Sequence, residues 1–296
     1  MNHEQAISLK NQTPEGIPLE ATFLPDKGMN LISYRRGEVE IIDQSTRPDF
    51  ERRFAGLGPI IGPHFHHRKP HLIPDISNEE QFPHIAICRE EKRSDPFSHG
   101  VGRYAPWSAE ATENSIHAAL SGKETWNDVP LAAIEGQDFQ MHFDVELTPA
   151  GLQLHLSVVS EADSIVGIHY YYRLPQERGT VRSQVQNAYI VNDVKKPLPS
   201  DWSFDSRHIL TYELNQDTDF TFFPYPNPLK GEIILNTTEY QLVTTYDNDS
   251  QENSWQLWHP HGASFVCIEP VSSQDPRHPN LTVSSIKIRL EILECV

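Results

Sequence analysis

Hydrophobic and polar residues alternate with a period of two along much of the chain. The clearest alternation covers residues 152–158 and 286–292, where Leu, Ile or Val occupies every second position. A shorter alternation covers 39–41, and residues 233–246 predict two strands joined by a turn near 236–239. Because successive side chains of a strand point to opposite faces of its sheet, this pattern predicts half-buried antiparallel strands.

Turn-forming and helix-breaking residues fill the intervals between these strands. Clusters of Pro, Gly, Asp and Asn predict turns at residues 25–28, 148–151 and 247–250. The 23 prolines interrupt nearly every stretch long enough for a helix, and only residues 116–120 have weakly helical spacing. Residues 182–206 are less regular and predict either a long loop or an inserted excursion. The whole pattern predicts one all-β, mostly antiparallel domain over residues 1–296, large enough for two packed sheets.

The charge of the chain restricts its partners. The formal net charge is −17, and such a field repels nucleic acid and anionic membrane surfaces. No apolar run reaches the roughly 18 residues of a transmembrane helix. We therefore expect a small-molecule partner, with neither nucleic acid nor membrane. A neutral substrate fits the charge, whereas an anionic one requires a local cluster of arginines.

The cysteines and the N-terminus predict a cytoplasmic protein. Cys88, Cys267 and Cys295 are odd in number and form no CxxC pair, which is typical of reduced thiols rather than of a disulfide framework. The first five residues lack the basic head and apolar stretch of a signal peptide.

Four histidines, His64, His66, His67 and His71, cluster in one short segment. Neutral imidazoles are good metal ligands, and the first two resemble the start of a cupin metal motif. That motif needs a glutamate where this chain has Pro70, and its second half is missing. We therefore expect a polar loop that lines a cleft, and no metal.

Residues 98–107 combine His99, two glycines, Arg103 and Trp107. These are the parts of a carbohydrate subsite, because arginine forks to hydroxyl or anionic groups and tryptophan offers an apolar face. Glycine at such a place lets the backbone approach a ligand. The alternative is a turn followed by a core tryptophan.

Two further polar residues adjoin strongly apolar strands. His169 follows an apolar run and is flanked by tyrosines, where the alternative role is that of a half-buried structural histidine. Glu269 ends the apolar run 265–268 and precedes Pro270, which predicts a strand end. A carboxylate there is expected at the rim of a site with a raised pKa, and the alternative is a solvent-facing terminus.

Taken together, these groups resemble the aldose 1-epimerase (galactose mutarotase-like) family. The stretches that carry the resemblance are 27–36, 99–103, 167–169, 255–260 and 265–270. They span almost the whole chain, and the most specific is a tryptophan-rich strand followed by Cys-Ile-Glu-Pro. The resemblance implies a large antiparallel β-supersandwich, in agreement with the strand pattern.

The resemblance also implies roles for individual residues. Glu269 matches the catalytic base, His169 the catalytic acid, and His99 a second histidine beside the ring oxygen of the sugar. One position departs from the family pattern, because Tyr170 stands where a proline usually follows the acid.

Four residues are expected to bind substrate. Asp219 and Arg68 match substrate-binding residues of the family, and Arg103 and Trp107 belong to the subsite described above.

The implied function is interconversion of the α and β anomers of a hexose. Ring opening requires removal of the anomeric hydroxyl proton and delivery of a proton to the ring oxygen, which a carboxylate and an imidazolium perform without metal or redox cofactor. Two alternatives stay open. One is a hexose-6-phosphate mutarotase, which residues 99–107 also resemble and to which Arg52, Arg53, Arg68 and Lys69 would add positive charge. The other is a non-catalytic carbohydrate-binding protein of the same fold, against which the presence of both catalytic residues argues.

Overall fold

Strands dominate residues 6–294, which are the residues that the computed structural model describes. In chain order the strands are β1 Ile7–Gln12, β2 Pro18–Leu24, β3 Asn30–Arg36, β4 Val39–Glu40, β5 Ile60–Ile61, β6 Ser108–Ala111, β7 Ser115–Ser121, β8 Thr125–Trp126, β9 Val129–Pro130, β10 Phe139–Thr148, β11 Gly151–Ser164, β12 Gly167–Ile168, β13 Tyr170–Arg173, β14 Thr180–Val191, β15 Val194–Pro197, β16 Ser203–Phe204, β17 Ile209–Glu213, β18 Thr218–Pro224, β19 Lys230–Asn236, β20 Tyr240–Asp247, β21 Ser254–His259, β22 Phe265–Val271 and β23 Leu281–Glu294. The α-helices are α1 Arg47–Arg53, α2 Pro83–Glu90 and α3 Leu131–Glu135. Short 3-10 turns occupy Pro25–Lys27, Gln44–Thr46, Pro70–Leu72, Glu79–Gln81, Val101–Arg103 and Pro175–Glu177.

The strands form a four-stranded N-terminal sheet, a small β8–β9 ribbon and two large antiparallel sheets. Sheet I contains β5, β12, β13, β22, β21, β18 and β15. Sheet II contains β6, β7, β10, β11, β23, β20, β19, β17 and β16. Strand β14 belongs to both, because its first half pairs with β17 and β19 and its second half with β18 and β15. The all-β, antiparallel prediction is confirmed.

One continuous cluster of buried hydrophobic residues joins the two large sheets. Leu154 and Leu290 of sheet II and Leu257 and Ile268 of sheet I all belong to it. The two strongest alternations of the sequence form β11 and β23, which pair with each other. Residues 233–246 form the predicted hairpin, β19 and β20.

Two of the local predictions are wrong. Residues 116–120 are not helical but lie in β7, where alternate side chains are buried and exposed as in any half-buried strand. Residues 182–206 are neither a loop nor an excursion over most of their length. They begin inside β14, and residues 194–197 form the next strand, β15. Strand β14 forms because residues 181, 183 and 185 are buried on one of its faces, while the residues between them are less buried.

The prolines also explain why the sequence pattern did not predict the helices. Both α1 and α2 carry a proline in their first turn, and α3 follows Pro130. Proline lacks an amide hydrogen and fixes φ near the helical value, so it is tolerated at a helix start although it breaks a helix interior.

Within residues 6–294 no helix is long and apolar enough to cross a membrane. Residues 1–5 and Cys295, on which part of the expected cytoplasmic location rests, lie outside the described residues.

Tyr34 links the N-terminal sheet to the middle of sheet II. Its side chain is fully buried, and its hydroxyl donates a hydrogen bond to the carbonyl of Leu290 at 3.0 Å. The same oxygen accepts a hydrogen bond from the backbone N–H of Leu152 at 3.1 Å. One phenol therefore satisfies a buried donor and a buried acceptor on two neighbouring strands.

We predict that Tyr34→Phe lowers the free energy of unfolding by about 1–3 kcal/mol, because it leaves two buried backbone groups without a partner. Urea denaturation monitored by tryptophan fluorescence measures the change. Tyr225→Phe is the matched control, since Tyr225 is 41% exposed and its variant should unfold like the wild type. Equal stability of both variants would contradict the bridging role of Tyr34.

Candidate active site

The register of sheet I aligns a row of polar side chains across four strands. Thr221 pairs with Gln256, and Gln256 pairs with Glu269. The pairings of residue 170 with 268 and of 167 with 271 place His169 opposite Glu269. Two residues further along the same strands, a second row contains Asp219, Trp258, Cys267 and Tyr171. Side chains two residues apart share a face of the sheet, so both rows face the same cleft.

The alternate residues of these strands point into the core. Tyr170 and Ile268 are completely buried in the hydrophobic cluster. The tyrosine that replaces the family proline therefore lies on the face opposite to the cleft.

Glu269 does not end its strand. Strand β22 continues to Val271, with Pro270 in register opposite Trp255. A proline removes one hydrogen-bond donor, and pairing continues on both sides of it. Glu269 consequently lies on the floor of the cleft with 2% exposure, and not at a rim as the sequence predicted.

Glu269 and His169 are in direct contact. The distance from Glu269 Oε1 to His169 Nε2 is 3.2 Å. Burial raises the pKa of the Glu269 carboxyl well above its usual value, and the charge of Asp219 adds to the rise. Burial lowers the pKa of the His169 imidazole well below its usual value, with a further contribution from Arg103. Burial therefore works against the charged form of each of these two groups, which lie in contact.

Aromatic rings fix the orientation of His169. The Tyr171 ring stacks on the imidazole at a centroid distance of 5.1 Å and an angle of 18°. The rings of Trp258 and His99 approach edge-on at 5.9 Å and 4.9 Å. Three rings thus hold the imidazole toward Glu269.

His99 enters the cleft from a strained turn. Its φ is 71°, a left-handed conformation uncommon for a residue with a Cβ. Its Nδ1 accepts a hydrogen bond from the backbone N–H of His66 at 3.3 Å. Because Nδ1 accepts, the proton of the neutral ring is on Nε2. His99 is therefore a hydrogen-bond donor toward the cleft.

Gly100 makes this turn possible, for a reason the sequence did not reveal. Its φ is 90°, and a Cβ would lie 2.0 Å from the carbonyl oxygen of Gly62. The glycine lets two backbone segments approach each other, and not the backbone approach a ligand.

Gln256 is a site residue that the sequence analysis missed. Its Oε1 accepts a hydrogen bond from the Thr221 hydroxyl at 2.6 Å. Its Nε2 is buried beside the cleft and has no hydrogen-bond partner within residues 6–294. A polar residue between apolar neighbours in a tryptophan-rich strand was the available signal, but only the register identifies it as the neighbour of Glu269.

Arginines line the cleft more densely than the sequence indicated. Arg103 is 3% exposed, and its Nε donates to the carbonyl of Phe54 at 2.8 Å. Arg53, Arg93 and Arg277 also line the cleft, and the sequence analysis named only the first of these three, as a source of charge.

Two of the four expected substrate-binding residues do not line the cleft. Trp107 is buried, and its Nε1 donates to the carbonyl of Gly102 at 2.9 Å. Arg68 forms a two-pronged pair with the carboxylate of Asp95 at 2.8 and 2.9 Å. Asp219 does line the cleft, at its mouth, with its side chain 64% exposed and 3.8 Å from Arg277.

The histidine cluster is divided between the cleft and the interior. Residues 64–67 form an irregular loop and not a strand, and Phe65, His66 and His67 line the cleft as expected for a polar loop. His64 points inward, with its Nδ1 2.7 Å from Glu135 and its Nε2 3.5 Å from Asp95. His71 is exposed.

A larger groove of about 1030 Å³ lies on the outer face of sheet II, away from these residues. Its polar side chains pair with one another across the strands, as in the His117–Asp144 contact at 2.9 Å and the Lys230–Asp247 contact at 2.8 Å. The cleft above Glu269, of about 240 Å³, is smaller but holds the buried acid and imidazole. We therefore take the smaller cleft as the candidate active site.

Comparisons with known proteins agree with the fold. No protein-family model and no curated protein sequence matches the chain. Its structure is similar to that of the Slr1438 protein from Synechocystis sp. PCC 6803, with a TM-score of 0.69, 14% identity, and coverage of 99% of this chain and 97% of that one. An aldose epimerase homologue from C. elegans gives a TM-score of 0.67 at 12% identity, covering 99% and 100%. A galactose mutarotase-like protein from Clostridium acetobutylicum gives 0.61 at 13% identity, covering 99% and 100%. The chain therefore has the galactose mutarotase-like fold that its motifs implied.

We predict that Arg68→Gln destabilises the protein by about 3–5 kcal/mol, because it leaves the buried carboxylate of Asp95 without its partner. Thermal and urea unfolding measure the loss. Arg52→Gln is the control, since Arg52 is half exposed in its pair with Asp49 and such pairs contribute about 0–1 kcal/mol. Unchanged stability together with a weakened substrate affinity would instead support the substrate-binding role expected from the sequence.

Proposed function

We propose that this protein interconverts the α and β anomers of a hexose, the aldose 1-epimerase reaction. The observation that carries the proposal is the buried contact between Glu269 and His169 at 3.2 Å. A buried carboxyl group and an imidazole in contact are a pair able to remove one proton and deliver another.

The reaction requires a carboxylate on Glu269 and an imidazolium on His169. The carboxylate removes the proton of the anomeric hydroxyl, and the imidazolium protonates the ring oxygen. The bond between the anomeric carbon and the ring oxygen breaks, leaving an open-chain aldehyde. Rotation of the aldehyde and reversal of the two proton transfers close the other anomer, and each transfer contributes a rate gain of about 10²–10⁴.

Neighbouring donors suit the oxygens of a sugar. The Nε2–H of His99 and the free amide of Gln256 are available to hydroxyl or ring oxygens. Trp258 and Tyr171 supply apolar ring faces in the same cleft. The cleft volume of about 240 Å³ is below the 300–1,000 Å³ or so of typical small-molecule sites, which supports a single sugar ring.

The four arginines of the cleft favour a second candidate substrate, a hexose 6-phosphate. Arg52, Arg53 and Arg93 share the carboxylates of Glu91 and Asp49, so two negative charges face three guanidinium groups. Arg103 is buried in the same cleft. Guanidinium groups are thus concentrated at the cleft although the chain carries −17, and arginine is the preferred partner of phosphate.

We further propose that residues 1–296 form one domain and that the protein acts in the cytoplasm. The free thiols of Cys88 and Cys267 support a reducing compartment. A binding protein without turnover is disfavoured because a binding site alone has no need for a buried acid in contact with an imidazole.

We predict that Glu269→Gln lowers the rate of anomer exchange by about 10²–10⁴-fold, because an amide does not remove the proton. Exchange spectroscopy by NMR on glucose, galactose and their 6-phosphates measures the rate. Glu232→Gln, an exposed glutamate of sheet II, is the control and should keep the wild-type rate. Near-wild-type exchange by a folded Glu269→Gln protein would exclude Glu269 as the base.

The substrate class is tested by the same measurement on Arg93→Gln. If the substrate is phosphorylated, the variant should lose about ten- to a hundredfold in kcat/KM for glucose 6-phosphate and little for glucose, since a charge-assisted hydrogen bond contributes about 1.5–3 kcal/mol. Arg52→Gln, which contacts the same Glu91 but does not line the cleft, controls for an indirect effect. Added salt should weaken turnover of the phosphate only. Equal turnover of both sugars by the wild type and the variant would identify a neutral substrate.

A further inference from the structure

Cys267 lies beside the acid/base pair and has no part in the reaction proposed above. It is fully buried and lies in the second row, in register between Tyr171 and Trp258. Glu269 lies two residues further along the same strand, in the first row. The Tyr171 and Trp258 rings are 6.0 Å apart, so they lean together over the short cysteine side chain. The thiol therefore sits under the aromatic wall of the cleft.

Three potential metal ligands meet at this point. One ligand atom each from His169, Cys267 and Glu269 lies within 4.8 Å of the other two. Within residues 6–294, no other three His, Cys, Asp or Glu residues come so close. The acid and the imidazole are 3.2 Å apart. Neighbouring ligands of a tetrahedral zinc ion are about 3.3–3.6 Å apart, given bonds of about 2.0–2.3 Å.

We propose that the cleft binds a thiophilic divalent cation, of the Zn²⁺ or Co²⁺ type, through His169, Cys267 and Glu269. Thiolate and imidazole select such ions over Mg²⁺ and Ca²⁺, which prefer oxygen ligands. Three protein ligands leave the fourth position of a tetrahedral ion open.

Charge balance permits the ion despite the arginines. Binding forms one metal–sulfur, one metal–oxygen and one metal–nitrogen bond, and it displaces the proton of the Cys267 thiol and the proton of the Glu269 carboxyl group. Two positive charges enter and two protons leave to solvent, so the net charge beside Arg103 does not change. Because binding releases protons, it should strengthen as the pH rises.

The consequence is inhibition of the proposed reaction, and this part rests on the proposed function. A metal bound to the carboxylate and to the imidazole lone pair leaves neither group free to move a proton. Metal-free protein should be the active form, and Zn²⁺ should lower the exchange rate by about 10²-fold or more, as loss of the base does.

Titration of chelator-treated, desalted protein with Co²⁺ tests the site without reference to activity. We expect one equivalent to saturate, with the visible bands of tetrahedral Co²⁺ and a near-ultraviolet sulfur-to-cobalt charge-transfer band. Cys267→Ser should abolish that band and weaken binding by about 100-fold or more, since even outer-shell partners of a metal are worth about 10- to 100-fold. Cys88→Ser, at the other described free cysteine, should keep the wild-type spectrum. Mg²⁺ should leave it unchanged, and Zn²⁺ should displace the cobalt.

Absence of the charge-transfer band in the wild type, or its persistence in Cys267→Ser, would overturn the proposal. If Cys267→Ser does not fold, Glu269→Gln serves as the second variant, and an unweakened cobalt titration of that protein would also overturn it. Anomer exchange is then measured with Zn²⁺ and again after a chelator. A charge-transfer band in a protein that shows no exchange without metal would leave the metal site standing and refute the proposed function.

Discussion

The contact between Glu269 and His169 depends on the pairing register of two strands in sheet I. A shift of either strand by one residue would turn its side chain to the opposite face and break the contact. Tyr170 and Ile268 prevent that shift, because these neighbouring residues are packed in the hydrophobic core. The burial that fixes the register also removes the acid and the imidazole from water. This raises the pKa of the Glu269 carboxyl and lowers the pKa of the His169 imidazole. Packing on one face of the sheet thus sets the proton chemistry on the other.

The upper wall of the cleft is held by polar contacts as well as by the hydrophobic core, to which Phe97 and Val101 belong. Glu135 accepts the backbone N–H of Val101 and contacts His64, while Asp95 engages Arg68. Burial alone raises the pKa of the Asp95 carboxyl, but the hydrogen bonds from Arg68 and His64 outweigh that effect and hold it well below its usual value. The segments that carry His99 and Arg103 are therefore anchored by charged groups, of which Arg68 and Glu135 do not line the cleft. This explains why Arg68, expected to bind substrate, serves the scaffold.

Several features of the fold and site could be read from single residues and short patterns. Strong period-two alternation identified β11, β23 and the β19–β20 hairpin, since each pattern reflects burial on one face. His169, Glu269, His99 and Arg103 were singled out from three separate motifs, and they lie in one cleft. The prolines led to two kinds of wrong prediction. Some of them lie at the starts of helices that the proline pattern argued against, and Pro270 lies within a strand that was expected to stop before it.

What the sequence did not reveal depends on contacts between distant segments. Gln256 becomes a neighbour of Glu269 only through strand pairing, and Arg277 joins Arg93 in the cleft although 184 positions separate them along the chain. The formal charge of −17 suggested a neutral substrate, but total charge contains no information on how arginines are distributed around one cleft. The net charge of the chain does not determine the charge around one cleft, because that depends on which residues the fold brings together.

The Tyr34 bridge also limits how this protein can form during synthesis. Its hydroxyl joins backbone groups 118 and 256 positions further along the chain, and β23, which supplies the second of them, pairs with both β11 and β20. A ribosome releases residue 290 only after 256 further residues have followed Tyr34, so the first strands to emerge have no completed sheet to dock against until then. Contacts of such long sequence separation form slowly, and the nascent chain keeps hydrophobic strands exposed in the meantime. A chain cut before residue 290 would therefore leave the N-terminal sheet without this anchor, although the two lie far apart in sequence.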